Sequence, residues 1–167
     1  MLQPRNDQKE CDKLIELLGL KPTQKLLIKP NPKSSNKTFP FPTTPMTVAD
    51  LFGYWLYILG VPSRYFFKIL SHFTEDELHK EKLQTLGSNS NDGKLEYYEY
   101  CAKPKRTVYE VLFDFPSVKI PLDYLIECVG PQRYREYSIS TSNLVHKKGV
   151  RDLTSIKSLT LVNYRLE

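Results

Sequence analysis

The sequence predicts an α+β fold in which helices fill the middle of the chain and strands lie towards its ends. Residues 46–130 repeat apolar side chains at helical spacing between capping signals. Residues 134–140 and 158–166 are rich in Tyr, Ile, Val, Thr and Leu with the alternation typical of strands. The chain of 167 residues can bury a core, but so few strands need further strands beside them for a stable sheet.

The first segment, residues 1–45, is predicted to contain one helix and one short strand. Apolar residues between positions 11 and 18 form one helical stripe, with Asn6 or Asp7 placed to cap the helix and Gly19 placed to end it. Residues 25–29 fit a short strand. Five prolines then indicate an extended connection before the next segment.

The middle segment, residues 46–130, is predicted to be helical. Thr47 and Asp50 form a capping-box pattern, and helical spacing continues from there to Gly60. Residues 87–93 read as an exposed loop. Further helices are predicted to begin near Ser63, Thr74, Leu95, Thr107 and Pro121.

The predicted helix that begins at Thr74 has three leucines assigned to the core, namely Leu78, Leu83 and Leu86. Its first turn is acidic at residues 75–77, where carboxylates complement the helix dipole. We therefore interpret these carboxylates as caps and not as general acids.

Composition narrows the class of protein. Three cysteines and three histidines are scattered, which argues against a disulfide framework and a metal site. The sequence has no glycine-rich phosphate loop, no nucleophile elbow and no apolar run of membrane-spanning length. We expect a soluble cytoplasmic protein without membrane contact, whose net charge of +5 favours a negatively charged partner.

The first candidate site is the basic segment before Thr107. Lys105 and Arg106 directly precede this predicted helix start, where cations and backbone N–H groups together favour a phosphate. A solvated pair of charges is the alternative interpretation.

The second candidate site is the predicted strand at residues 135–140. Arg135 and Tyr137 share one face of this strand, and Glu136 and Ser138 lie on the other. The face with Arg135 and Tyr137 can hold a phosphate with the arginine and stack a flat heterocycle on the tyrosine. An ordinary core or surface tyrosine is the alternative.

These motifs resemble a known family. R-E-Y-S-I-S at residues 135–140 looks like the R-x-Y-S signature of the FAD domain in the ferredoxin-reductase superfamily. Four further phrases, in the same order and spacing, are similar to those of diflavin reductases. They are P-x-T-V-x-x-L with R-x-F-F-x-I-L at residues 45–70, L-x-x-Y-E-Y-C-x-x-P-x-R-T-V-x-E-V-L-x-D-F-P at residues 95–116, and I-P-x-D-Y-L at residues 120–125.

The resemblance implies a partial antiparallel FAD-binding β-barrel into which a mainly helical connecting domain is inserted. Residues 1–45 would be a barrel segment with the first helix and the proline-rich connection. Residues 46–130 would be the connecting domain, and residues 131–167 would be a second barrel segment with the R-x-Y-S motif.

The resemblance also implies roles for five cofactor-binding residues. Arg135 would neutralise the FAD pyrophosphate, Tyr137 would stack on the isoalloxazine ring, and Ser138 would hydrogen-bond near the flavin N5 edge. Arg106 would contact the phosphate or adenosine end, and Glu136 lies within the signature but points the other way. No catalytic residue and no metal ligand is assigned.

In the NADPH-dependent branch of the family that the chain resembles, NADPH reduces FAD, and FAD passes single electrons to FMN in a flavodoxin domain. FMN then reduces an iron-sulfur protein of the anamorsin kind during cytosolic iron-sulfur protein assembly. The flavodoxin domain, the NADPH domain and the G-x-C-[ST] loop are not among these residues. We therefore expect the chain to be part of a longer oxidoreductase, without nucleic acid as a partner.

A different class of function stays open beside the flavoprotein. A non-catalytic basic helical module could bind a protein or nucleic acid through five cations. These are Lys103, Lys105, Arg106, Arg133 and Arg135.

Overall fold

The computed structural model describes residues 4–30 and 40–134. Contacts divide the chain into two compact units, one formed by Arg5–Arg133 and the other by Met1–Pro4 together with Tyr134–Glu167. All helices and strands of the described residues belong to the unit Arg5–Arg133. The strands predicted at 134–140 and 158–166 lie outside the described residues, apart from Tyr134.

The unit Arg5–Arg133 consists of short α-helices with one small sheet. Strands β1 and β2 pair antiparallel, with Lys25 opposite Thr47 and Leu26 opposite Met46. This mixture is compatible with the predicted α+β class, although the strand predicted at 25–29 has only two residues. The elements are α1 Gln8–Leu17, β1 Lys25–Leu26, β2 Met46–Thr47, α2 Val48–Asp50, α3 Arg64–Leu70, α4 Glu77–Gly87, α5 Asn91–Tyr97, α6 Val108–Asp114 and α7 Leu122–Val129, with π-helical turns at Leu51–Trp55 and Tyr98–Ala102.

Helix α1 has the predicted ends. The Asp7 side chain accepts hydrogen bonds from the Lys9 and Glu10 backbone N–H groups at 3.0 and 3.3 Å. Gly19 follows the helix at φ 65°, a conformation that glycine adopts without steric cost. The buried stripe of α1 is formed by Cys11, Leu14 and Ile15.

The second helical tract starts as predicted but ends early. Thr47 and Asp50 form the capping box of α2, which passes into the π-helical turn Leu51–Trp55. The prediction that this tract continues to Gly60 is wrong, because Leu56 is extended at φ −100° and ψ 139°. Leu56 forms an antiparallel bridge with Pro131, so it pairs with a distant segment and not within a helix.

Helices α3 and α4 pack together through aromatic and leucine side chains. Phe66, Phe67 and Leu70 are buried on α3. Helix α4 is capped by Asp76 and not by Thr74, since the Asp76 carboxylate accepts the His79 backbone N–H at 2.9 Å.

The prediction that Leu78 faces the core is wrong, because 78% of this residue is exposed while Leu83 and Leu86 are buried. Leu83 comes five positions after Leu78, which places the two side chains about 140° apart around a helix. Leu78 therefore lies off the stripe that the other two leucines share.

The predicted exposed loop at residues 87–93 contains the start of helix α5. Ser90 caps α5 by accepting the Gly93 backbone N–H at 3.0 Å. Gly93 is buried, and a Cβ atom there would lie 2.1 Å from the Ser88 Oγ. The polar residues of this stretch act as helix-capping groups, which a loop prediction from composition overlooks.

Helices α6 and α7 begin as predicted. Thr107 and Glu110 form the capping box of α6, whose Val111 and Leu112 are buried. Helix α7 follows Pro121 and buries Leu125. Among the described residues, no helix is long and apolar enough to cross a membrane.

Candidate flavin site

Four of the five predicted FAD contacts, Arg135, Glu136, Tyr137 and Ser138, lie outside the described residues. Arg106 is the fifth and is described. The structure therefore defines two neighbourhoods that bear on the predicted site. One surrounds Arg106, and the other is the segment that leads to Arg135.

Arg106 is positioned by a tight turn after the π-helical turn Tyr98–Ala102. The Arg106 backbone N–H donates to the Cys101 carbonyl at 3.0 Å, and the Lys105 N–H donates to the Ala102 carbonyl at 3.3 Å. Lys105 adopts φ 58°, which is uncommon for a residue with a Cβ atom. This left-handed residue turns the chain so that Arg106 returns to the preceding helical turn.

The guanidinium of Arg106 is held between a carboxylate and an aromatic ring. Its Nη1 donates to Asp114 Oδ2 at 2.6 Å, and its Cζ lies 4.6 Å from the centroid of the Tyr100 ring. The Tyr100 hydroxyl donates to the same Asp114 oxygen at 2.8 Å. We refer to Tyr100, Arg106 and Asp114 as the Arg106 cluster.

Burial keeps two groups here, the Tyr100 phenol and the neighbouring Cys101 thiol, protonated at neutral pH. Burial, followed by the hydrogen bond to Asp114, raises the pKa of Tyr100, so its phenol stays a protonated donor. Burial raises the pKa of the Cys101 thiol to about 11, although Arg106 acts in the opposite direction. The neutral thiol is a poor nucleophile.

The donors of Arg106 give a test of whether it suits a phosphate. Its Nε is buried and has no hydrogen-bond partner among the described residues, so this donor would reach a phosphate oxygen only if the side chains around it moved. Asp114 already balances the guanidinium charge, which reduces the attraction for an anion. The residue fits a phosphate oxygen in donor chemistry, and its role in binding FAD stays a prediction.

The N-terminus of α6 beside Arg106 is already supplied with an acceptor. Glu110 Oε2 accepts the Thr107 backbone N–H at 2.7 Å, and Thr107 Oγ1 accepts the Glu110 N–H at 3.4 Å. A phosphate at this helix start would compete with the Glu110 carboxylate. The cation Lys103 is likewise paired, with Glu99 at 2.8 Å.

The second neighbourhood is the end of the unit Arg5–Arg133, just before the R-E-Y-S-I-S motif. The Gln132 N–H donates to the Trp55 carbonyl at 2.7 Å, and the Tyr57 N–H donates to the Gly130 carbonyl at 3.2 Å. With the bridge between Leu56 and Pro131, these bonds attach residues 130–132 to residues 55–57.

A buried asparagine completes this attachment. Asn6 Nδ2 donates to the carbonyls of Phe52 and Leu56, both at 2.7 Å. Gln132 Nε2 donates to Asn6 Oδ1 at 3.2 Å, and the Asn6 backbone N–H donates to the Gly53 carbonyl at 2.8 Å. The sequence indicated Asn6 only as a possible cap, because its partners lie 46, 50 and 126 positions away.

Other chemistry is limited in the described part of the chain. No group of three or more His, Cys, Asp or Glu side chains there could hold a metal ion. The cysteines are all free, with Cys11 and Cys101 buried and Cys128 partly exposed.

Comparison with known proteins places the chain in a class of flavin-binding proteins. Residues 2–160 match the family described as FAD binding domain, and the chain belongs to this family. The match covers both the Arg106 cluster and the R-E-Y-S-I-S motif, which confirms the family resemblance. FAD is accordingly the cofactor that this family assigns to the region.

The similar full-length proteins are named NADPH-dependent diflavin oxidoreductase 1. The chain is 34% identical to the one from Dictyostelium discoideum over 98% of its own length and 26% of the relative. It is 34% identical to the Schizosaccharomyces pombe protein over 99% of its own length and 27% of the relative. It is 35% identical to the Mus musculus protein over 92% of its own length and 25% of the relative. The chain spans about a quarter of the length of the curated relatives it matches.

Proposed function

We propose that this chain is the FAD-binding region of an NADPH-dependent diflavin oxidoreductase. The main support is the family match over residues 2–160, which spans nearly the whole chain. The relatives' names add NADPH and two flavins at the level of the full-length proteins. The proposed architecture is a helical connecting domain inserted in a flavin-binding barrel.

In this proposal, the chain's own residues bind and orient the flavin. Arg135 neutralises the pyrophosphate, Tyr137 stacks on the isoalloxazine ring, and Ser138 donates a hydrogen bond near N5. Arg106 contributes a further donor towards the phosphate or adenosine end, while Glu136 faces away. Bound FAD supplies the ability to accept a hydride and release single electrons.

The remaining parts of the proposal concern the full-length protein. We propose that NADPH and FMN bind outside these 167 residues and that the protein works in the cytoplasm. Its proposed electron acceptor is an iron-sulfur protein of the anamorsin kind, within iron-sulfur protein assembly. The support for the acceptor and the compartment is the family resemblance of the motifs.

A thermal-shift titration with FAD tests the binding function. A ligand specific to the folded state stabilises it by about 2.7 kcal/mol at a hundredfold excess over Kd, which corresponds to roughly 5 to 10 °C for a chain of this size. Tyr137→Ala should abolish this shift, because the stacking surface is lost. Tyr65→Ala, at an exposed tyrosine of α3, is the matched control and should keep the shift.

Two results would contradict this assignment. The absence of any FAD shift in the unaltered chain would reject FAD binding. An undiminished shift in Tyr137→Ala would reject the stacking role.

The basic-module alternative is weakened by ion pairs. Two of its five cations, Lys103 and Arg106, are paired with carboxylates. Nucleic-acid binding would fall steeply with salt concentration and would be indifferent to FAD. A salt series with a single-stranded oligonucleotide therefore separates the two functions.

A further inference from the structure

The segment that enters the flavin motif is attached to the helical unit by both backbone and side-chain bonds. Backbone bonds join Trp55 to Gln132 and Tyr57 to Gly130. The Gln132 side chain adds a bond to Asn6. Gln132 lies three residues before Arg135, and three residues span at most about 10 Å.

The orientation of the Asn6 amide is set by its environment. Asn6 is only 3% exposed, and its nitrogen faces two carbonyl oxygens at 2.7 Å. A reversed amide would place its oxygen against both carbonyl oxygens, so the reversed orientation is disfavoured. Asn6 Oδ1 consequently faces Gln132 and can accept its amide N–H.

We propose that the Asn6–Gln132 pair is a positioning element for FAD, and this inference rests on the function proposed above. The pair fixes where the chain leaves the unit Arg5–Arg133 three residues before Arg135. In this role the pair acts on FAD indirectly. The pair limits the freedom of the residues that bind FAD.

Gln132→Ala is the test variant, because it removes the side-chain bond to Asn6 and leaves the backbone bonds in place. Asn6→Ala is unsuitable, since it would leave the buried carbonyls of Phe52 and Leu56 without their partner and would unsettle the fold. Gln84→Ala is the matched control, as Gln84 is an exposed glutamine of α4.

The measurement is the Kd for FAD by flavin-fluorescence titration of the full chain, well below the melting temperature of each variant. We expect Gln132→Ala to bind FAD about threefold to tenfold more weakly, the range of one net hydrogen bond. Its bound flavin should also be less quenched at saturation, because stacking on Tyr137 becomes less well defined. Gln84→Ala should match the unaltered chain in both respects.

The outcomes separate this inference from the proposed function. Equal Kd and equal quenching in Gln132→Ala and the unaltered chain would overturn the positioning role. A lower melting temperature in Gln132→Ala with an unchanged Kd would also overturn it, because the bond would then serve the fold alone. If the unaltered chain fails to bind FAD, the proposed function falls and this inference with it.

Discussion

At the scale of single residues, Asp114 shows how one carboxylate organises a cationic side chain. It accepts from the Arg106 guanidinium at 2.6 Å and from the Tyr100 hydroxyl at 2.8 Å. The Tyr100 ring in turn lies below the guanidinium and edge-on to Phe67, with ring centroids 6.1 Å apart. Arg106 is thereby held against the core and is not a freely moving surface charge.

Tyr100→Phe tests the contribution of the hydroxyl to this arrangement. We expect the free energy of unfolding to fall by about 1 kcal/mol, the net value of one hydrogen bond, because the ring and its packing remain. Urea unfolding followed by circular dichroism measures the change. Tyr98→Phe, at a tyrosine that is 52% exposed, should change stability by less than about 0.5 kcal/mol. Equal effects at both positions would contradict the assigned role of the Tyr100 hydroxyl.

At the scale of elements, short-range capping explains where five of the described helices begin, namely α1, α2, α4, α5 and α6. Thr47 and Thr107 each form a reciprocal capping box with the acidic residue three positions later. Asp7, Asp76 and Ser90 cap through single side chains. These bonds satisfy N–H groups that a helix start leaves without partners, so they stabilise helices of only two or three turns.

Thr107→Ala should lower the free energy of unfolding by about 1 kcal/mol, because α6 loses its cap. Chemical denaturation measures this change. Ser63→Ala offers a matched control, since Ser63 precedes α3 without a side-chain capping bond and its loss should be nearly neutral. A comparable loss at Ser63 would show that capping is not the cause.

At the scale of the whole molecule, the core couples stability to pH through its thiols. Burial raises the pKa of Cys11, Cys101 and Cys128 from 9.0 to about 11. A group whose folded pKa is raised contributes stability that is complete below its unfolded pKa and is lost as pH rises towards the folded value. The protein should therefore lose stability between about pH 9 and pH 11, with Tyr100 adding to the loss above pH 10.

Cys101→Ala tests this coupling. Between pH 8 and pH 10.5, the unaltered chain should lose about 2 kcal/mol more stability than Cys101→Ala, because the variant lacks one titrating thiol. Urea midpoints under reducing conditions measure both losses. Val111→Ala removes buried volume without a titrating group and should follow the pH dependence of the unaltered chain. Parallel pH curves for the unaltered chain and Cys101→Ala would exclude the thiol as a source.

Patterns in the sequence were enough to predict the family, the helical character of residues 46–130 and most helix starts. The order of the motifs identifies the FAD binding domain. Helix starts can be predicted because a capping bond joins residues only two or three positions apart. The helix inferred from Thr47 to Gly60 failed for the opposite reason, since Leu56 pairs with Pro131.

The contacts between distant groups became known only from the folded structure. The link from Asn6 to Gln132 joins residues 126 positions apart, and the local sequence around Asn6 fits a helix cap equally well. From the sequence, Arg106 is predicted to be an available cation, but in the structure it forms an ion pair with Asp114. Hydrogen bonds and ion pairs between distant residues depend on how the helices pack, and packing is a property of the whole core that no local pattern contains.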